Sequence, residues 1–115
     1  MKYIFFAYGD EQRLATLPKS ELDELEQDCI ANDDVLTQSG HLLSVEGLHG
    51  RDSAATVRLQ DGSVLISDGP FAETKEQILG IFLINARDLN EALQIASHMP
   101  QLRGGPIEVR PLVDA

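Results

Sequence analysis

The sequence predicts an α+β fold built on an antiparallel sheet, and three features predict it. Two alternating runs flank Asp61-Gly62 and read as a hairpin, two other stretches carry apolar residues at helical spacing, and three runs are rich in β-branched and aromatic residues. In chain order these give strand, helix, hairpin, strand, helix, strand. A length of 115 residues, with 43% hydrophobic and 24% charged residues, no repeat and no low-complexity stretch, is that of one domain spanning 1–115.

The first strand is Lys2 to Tyr8 (KYIFFAY), where Ile4, Phe6 and Tyr8 line one face and Tyr3, Phe5 and Ala7 the other. Both faces are apolar. From Ser20 to about Gln38, Leu22, Leu25, Cys29 and Leu36 fall near helical spacing, with Ser20 or Thr16 as N-cap and Gly40 placed to end the helix. Residues 41–54 read as a connection. Ala55 to Ser67 then forms the hairpin, in a register that sets Leu59 opposite Val64 and Val57 opposite Ile66 on one face, with Arg58 and Leu65 on the other.

Gly80 to Asn85 (GIFLIN) is a strand apolar on both faces. Asp88 caps the helix that follows, with Glu91 three residues on, and Leu89, Ala92, Leu93, Ala96 and Met99 form its apolar stripe up to Pro100. Ile107 to Val113 alternates at first, Ile107 and Val109 inward and Glu108 and Arg110 outward, while Pro111 lacks the N–H of a central strand. Two helices cover one face of such a sheet, and no further element is left for the second apolar face. A second copy packed sheet to sheet is the simplest cover, so the pattern predicts a homodimer.

The formal net charge is −10, and Glu21, Asp23, Glu24, Glu26, Asp28, Asp33 and Asp34 crowd into the first helix. Such a surface repels phosphate backbones and anionic membranes, which argues against nucleic-acid or membrane binding. The acidic run reads as a solvated helix face or as a docking site for a basic partner. One cysteine makes no intramolecular disulfide, and the N-terminal apolar run stops at Gly9-Asp10, too short for a signal peptide or membrane span; both predict a cytoplasmic protein. Cys29 falls on the apolar stripe, with no histidine or cation near it in sequence, and reads as an inert core thiol.

The segment Ser67-Asp68-Gly69-Pro70-Phe71-Ala72-Glu73-Thr74-Lys75-Glu76-Gln77 resembles the signature of the DGPF group within the YCII-related family. KYIFFAYGD at the start, Glu46-Gly47-Leu48, Ala86-Arg87-Asp88-Leu89 with Glu91-Ala92-Leu93, and Ile107-Glu108-Val109-Arg110-Pro111 extend the likeness along the chain. The resemblance implies a ferredoxin-like βαββαβ unit that pairs into a dimeric α/β barrel. It also implies a range of roles: small bacterial proteins of unknown function, lyase-like enzymes that remove chloride from aromatic ring compounds, and neighbours of extracytoplasmic-function sigma factors. In the wider family a first-helix histidine is proposed to pair with an aspartate, and the helix from Ser20 to Gln38 contains no histidine. Leu79, Ile81 and Asn85 also depart from the residues common after the signature.

Asp68 is the candidate catalytic base, because an aspartate leaving a hairpin strand near an open sheet end is placed to act on a ligand; Asp-Gly-Pro is equally ordinary turn chemistry. Phe71, Glu73, Lys75 and His49 are the candidate ligand-binding residues, with Glu76 read as structural. His41, His49 and His98 are the only histidines and, with Glu46, lack the spacing of a metal site. No cofactor or metal is predicted. Arg58, Arg87 and Arg110 would form an anion site if the sheet gathered them, and otherwise serve solubility. Gly104-Gly105-Pro106 lacks the helix and lysine of a phosphate loop. Two functions follow: a dimer binding an unidentified small molecule in an inter-sheet cleft, with Asp68-dependent lyase-like catalysis, or a non-catalytic accessory domain associated with a sigma factor.

Overall fold

The computed structural model describes residues 1–113. Strand β1 (Lys2–Asp10) leads through a short helix α1 (Glu11–Ala15) to the long helix α2 (Lys19–Gln38), then to β2 (Leu42–Gly47). The hairpin β3 (Ala55–Gln60) and β4 (Ser63–Asp68) follows, then β5 (Glu76–Asn85), helix α3 (Leu89–Ser97) and β6 (Ile107–Pro111). The main sheet is fully antiparallel in the order β2-β5-β1-β6, which is the ferredoxin-like βαββαβ arrangement, and β3 and β4 form a sheet of their own. None of the helices is long and apolar enough to cross a membrane among the described residues.

One element of the core sheet differs from the sequence reading. The second strand of the ferredoxin-like unit is β2, in the segment read as a connection, and the hairpin stands outside the sheet. The pairing of β2 with β5 shifts between Leu42 and Ser44, so Leu42 and Val45 both align with helix-side residues of β5. That irregularity removes the two-residue alternation by which a strand is read. Helix α1 was also not anticipated; Asp10 caps it by accepting hydrogen bonds from the N–H groups of Gln12 and Arg13.

The core lies between sheet and helices. Tyr3, Phe5 and Ala7 of β1 and Phe82 and Ile84 of β5 are buried there with Leu42, Ala92, Ala96 and Met99, and Ile107 and Val109 pack against them. Asp88 accepts the N–H of Glu91, and Glu91 in return accepts the N–H of Arg87, a reciprocal cap at the start of α3. The stripe of α3 is rotated from its expected place. Ala92, Ala96 and Met99 are buried and Ile95 packs on the core, whereas Leu89 and Leu93 are exposed. Small alanines let the helix axis approach the sheet, which moves the two leucines to its flank.

Helix α2 starts at Lys19 with Pro18 in the cap position and no side-chain cap, and Gly40 (φ +83°) follows its end. Leu22, Leu25, Cys29 and Leu36 face inward as expected, but each is only partly buried. The opposite face of the sheet carries Ile4, Phe6, Tyr8, Ile81 and Leu83, all half-buried and covered by no helix among the described residues. The hairpin register is the expected one, with Val57 opposite Ile66 and Leu59 opposite Val64, and Asp61 (φ +51°) and Gly62 (φ +79°) adopt the left-handed turn.

Candidate functional site

The signature segment begins where β4 ends. Gly69 (φ +95°) takes a conformation suited to glycine, donates its N–H to the Ala54 carbonyl at 2.8 Å and accepts the Thr56 hydroxyl at 2.8 Å, closing the root of the hairpin. From there to β5 two side chains hold the loop. Gln77 Nε2 donates to the carbonyls of Ala72 (2.7 Å) and Thr74 (2.9 Å). Arg51, in the connection after β2, donates through one guanidinium nitrogen to the carbonyls of Thr74 and Lys75, and Glu11 of α1 accepts its backbone N–H at 3.1 Å. The Arg58 guanidinium lies 5.5 Å from the centroid of the Phe71 ring, a side chain otherwise largely exposed.

These ties create two hollows. The larger, about 640 Å³, lies under the hairpin root and is walled by Tyr8, Leu48, His49, Ala54, Phe71 and Ile78 among others. Its volume is in the range of a small-molecule site, and its walls are mainly apolar with His49, Arg51 and Gln77 at hand. Tyr8 and Ile78 pair across β1 and β5, and Tyr8 shares a face with Ile4 and Phe6. The hollow therefore adjoins the uncovered face of the sheet. The smaller hollow, about 330 Å³, is polar, with Asp10, Glu11, Arg51, Asp52, Glu73 and Lys75 around it. Arg51 belongs to both.

The structure thus brings Phe71 and His49 to one cavity and sets Glu73 and Lys75 at its neighbour. Asp68 is exposed at the end of β4, opposite Ala55, and is among the lining residues of neither hollow, although Gly69 separates it from Pro70 of the cavity wall. The residues after the signature behave less uniformly than their sequence departures imply. Leu79 is the irregular residue of the β1–β5 pairing, and Ile81 points to the uncovered face.

The anion site read from three arginines does not form. Arg58 lies in the separate hairpin over Phe71, Arg87 pairs with Glu91 at 2.9 Å, and Arg110 pairs with Glu108 at 3.1 Å. The histidines are dispersed. His41 Nε2 is 3.4 Å from Glu91, His98 Nδ1 is 2.8 Å from the Gln94 carbonyl, and only His49 reaches the large cavity. Among the described residues there is no group of three or more potential metal ligands.

Cys29 borders a third hollow of about 230 Å³ between α2 and the sheet, with Leu25, Leu79 and Gln101. Burial, then the nearby Asp33 carboxylate, pushes its thiol pKa up, which agrees with an unreactive thiol.

Sequence reasoning missed Arg51 and Gln77, the two residues that shape the loop, and a polar contact on the uncovered face. There the Tyr8 hydroxyl donates to Glu108 at 3.0 Å and Arg110 donates to the other carboxylate oxygen at 3.1 Å, while stacking 5.8 Å from the Phe6 ring. The hydrogen bond from Tyr8, then that from Arg110, holds the Glu108 carboxyl below its usual range; burial, then Glu108, raises the Tyr8 phenol. A depressed carboxyl contributes stability that is present above the ordinary Glu pKa of about 4.3 and is lost as pH falls through the lower folded value. Carbon NMR of the Glu108 carboxyl in Tyr8→Phe is expected to show its midpoint moving up. An unmoved midpoint would assign the depression to Arg110 alone.

Arg51→Ala is expected to release the loop between Gly69 and Glu76, raising its amide exchange by about tenfold or more. Equal exchange in parent and variant would mean that Gln77 suffices.

A YCII-related domain model matches residues 1–115 of the chain. An uncharacterised protein of Rhizobium meliloti (strain 1021) is 38% identical over 114 residues, spanning 97% of this chain and 92% of that relative. With the match running from end to end over a ferredoxin-like α+β fold, this chain belongs to the YCII-related family.

Proposed function

We propose that this chain is a small-molecule-binding protein of the DGPF type, acting in the cytoplasm as a homodimer whose uncovered sheet faces meet. Its ligand occupies the cavity under the hairpin root. The observation that carries this reading is the cavity of about 640 Å³, apolar in the main, built by the signature loop and opening beside the half-buried apolar residues of the sheet. In a dimer that cavity borders the inter-sheet cleft. Phe71 and His49 contact the ligand, and Glu73 and Lys75 meet any polar extension of it in the adjoining hollow.

Acid–base catalysis of the lyase kind requires Asp68 to turn its carboxylate from the end of β4 toward the cavity. Asp68→Asn tests that step: retained fold with turnover lost supports it, and unchanged turnover sinks it. Binding itself is tested by ligand-observed NMR of a fragment set of small aromatic acids and alcohols against the parent and against Ala54→Trp, which fills the cavity. Fragments that bind the parent and not the variant support the reading; a set that binds neither, or both alike, contradicts it.

A second reading has an observation of its own in its favour. On α2 the acids Glu21, Glu24 and Glu26 are exposed, with no ion-pair partner among the described residues. An accessory domain that docks a basic surface, such as that of a sigma factor, would use them. Charge reversal at Glu21, Glu24 and Glu26 would then abolish the association while leaving ligand binding intact; Asp28 is spared because it pairs with Arg103 at 2.6 Å.

A further inference from the structure

The hairpin poses a physical problem that neither reading addresses. Among the described residues its two strands pair only with each other, and every side chain along it is exposed except that of Thr56, which is partly buried. One face is an apolar stripe, with Val57 65%, Leu59 73%, Val64 68% and Ile66 69% exposed. An isolated two-stranded hairpin is marginal in water, and an exposed apolar stripe of this kind marks a contact surface. The chain is also extended for its size, with a radius of gyration of 16.1 Å where a compact chain of this length has about 13 Å.

The area of the uncovered sheet indicates what the stripe meets. From strand spacing and rise, the four strands present a footprint of about 500 Å². Two such faces together bury about 1,000 Å², short of the roughly 1,200–2,000 Å² of a standard stable interface. Each hairpin face adds about 200 Å² and covers as much of whatever it lies on. Two arms, each on the opposite copy, bring the total to about 1,800 Å², within that range. The sheet face alone lies at the lower margin of a stable interface, and the arm brings the pair into the standard range.

We infer that the β3–β4 hairpin is an arm that seats its Val57, Leu59, Val64 and Ile66 stripe on the second copy of this chain and so fixes the wall of the ligand cavity. This rests on the homodimer proposed above. The arm's root carries Ser53, Ala54, Pro70 and Phe71, all of them lining the cavity, so the position of the arm sets the cavity's shape. Assembly and ligand binding are therefore coupled, each strengthening the other by the same factor.

The test replaces Val57 by lysine and Ile66 by glutamate together. These residues face each other across the hairpin, so the opposite charges keep the strands paired while removing the apolar stripe. Sedimentation equilibrium of the full chain is expected to show a dimer dissociation constant raised about tenfold or more in the double variant. Amide exchange of Thr56 to Ser67 in the unaltered protein is expected to be slow at concentrations where it is dimeric and fast after dilution to monomer; this reading stands even if the variant misfolds. A parent dimer whose hairpin exchanges equally fast at both concentrations overturns the arm and leaves the sheet-face dimer standing. A parent that is monomeric throughout the micromolar range overturns the dimer reading and the arm with it.

Discussion

Replacing Phe5 by alanine is expected to destabilise the protein by about 3–5 kcal/mol, the usual cost of deleting a large buried aromatic. Phe5 is 0% exposed at the middle of β1, with Phe82 of β5 and Val109 of β6 paired on either side. Both flanking residues belong to the helix-side core, so the void has rigid sheet neighbours that cannot collapse into it. Domains of this size have about 5–15 kcal/mol in all, so the substitution removes a large share of the total. Thermal or urea unfolding followed by circular dichroism would register it. A loss under about 1 kcal/mol would mean that the helix layer repacks freely, contrary to the close approach given by Ala92 and Ala96.

The adjacent residue should behave in the opposite manner. Phe6→Asp is expected to leave the chain folded and to abolish the proposed homodimer at micromolar concentration. Phe6 points to the uncovered face, half-buried within one chain, opposite Ile81 of β5 and beside the Arg110 guanidinium. In the single chain an aspartate there remains solvated and close to an arginine, so little stability is lost. In a sheet-to-sheet dimer the same carboxylate is buried beside the Glu108 carboxylate opposite it on β6, whose charge already engages Arg110, and burying such an excess charge costs several kcal/mol. Sedimentation mass beside circular dichroism separates the outcomes. A folded monomer supports the dimer face, and a folded dimer as tight as the parent places the interface elsewhere.

That Phe5 and Phe6 lie on opposite faces was legible in the sequence, because a strand's two faces follow from its period of two, but which of those apolar faces the helices cover was not. The hairpin was legible too, because its register follows from Asp61-Gly62 and needs no distant contact. Strand β2 was not, since a pairing shift at Leu42–Ser44 destroys the alternation and only its pairing with β5 gives the segment extended structure. Of the stripe read for the second helix, Ala92, Ala96 and Met99 are buried and only Leu89 and Leu93 are exposed, because the alanines let the helix come close and turn the larger leucines to its flank.

The candidate site divides in the same way. Phe71 and His49, two of the ligand-binding candidates named from sequence, both line the large cavity, a juxtaposition that a loop position alone does not specify. Arg51 gave no signal, because its partners are main-chain carbonyls 23 and 24 residues away and carbonyls leave no mark on sequence. The arginine cluster failed for a topological reason: the hairpin bearing Arg58 leaves the sheet, so its register says nothing about Arg110.

Dimerisation through the sheet face and a ligand in the cavity under each hairpin root are both proposed for this protein. Native mass spectrometry of the protein isolated directly from its source cells, beside Ala54→Trp, addresses both. The expected result is the mass of two chains carrying an additional small mass, with that addition absent from the cavity-filled variant. A single-chain mass, or an addition that survives unchanged in Ala54→Trp, would contradict it.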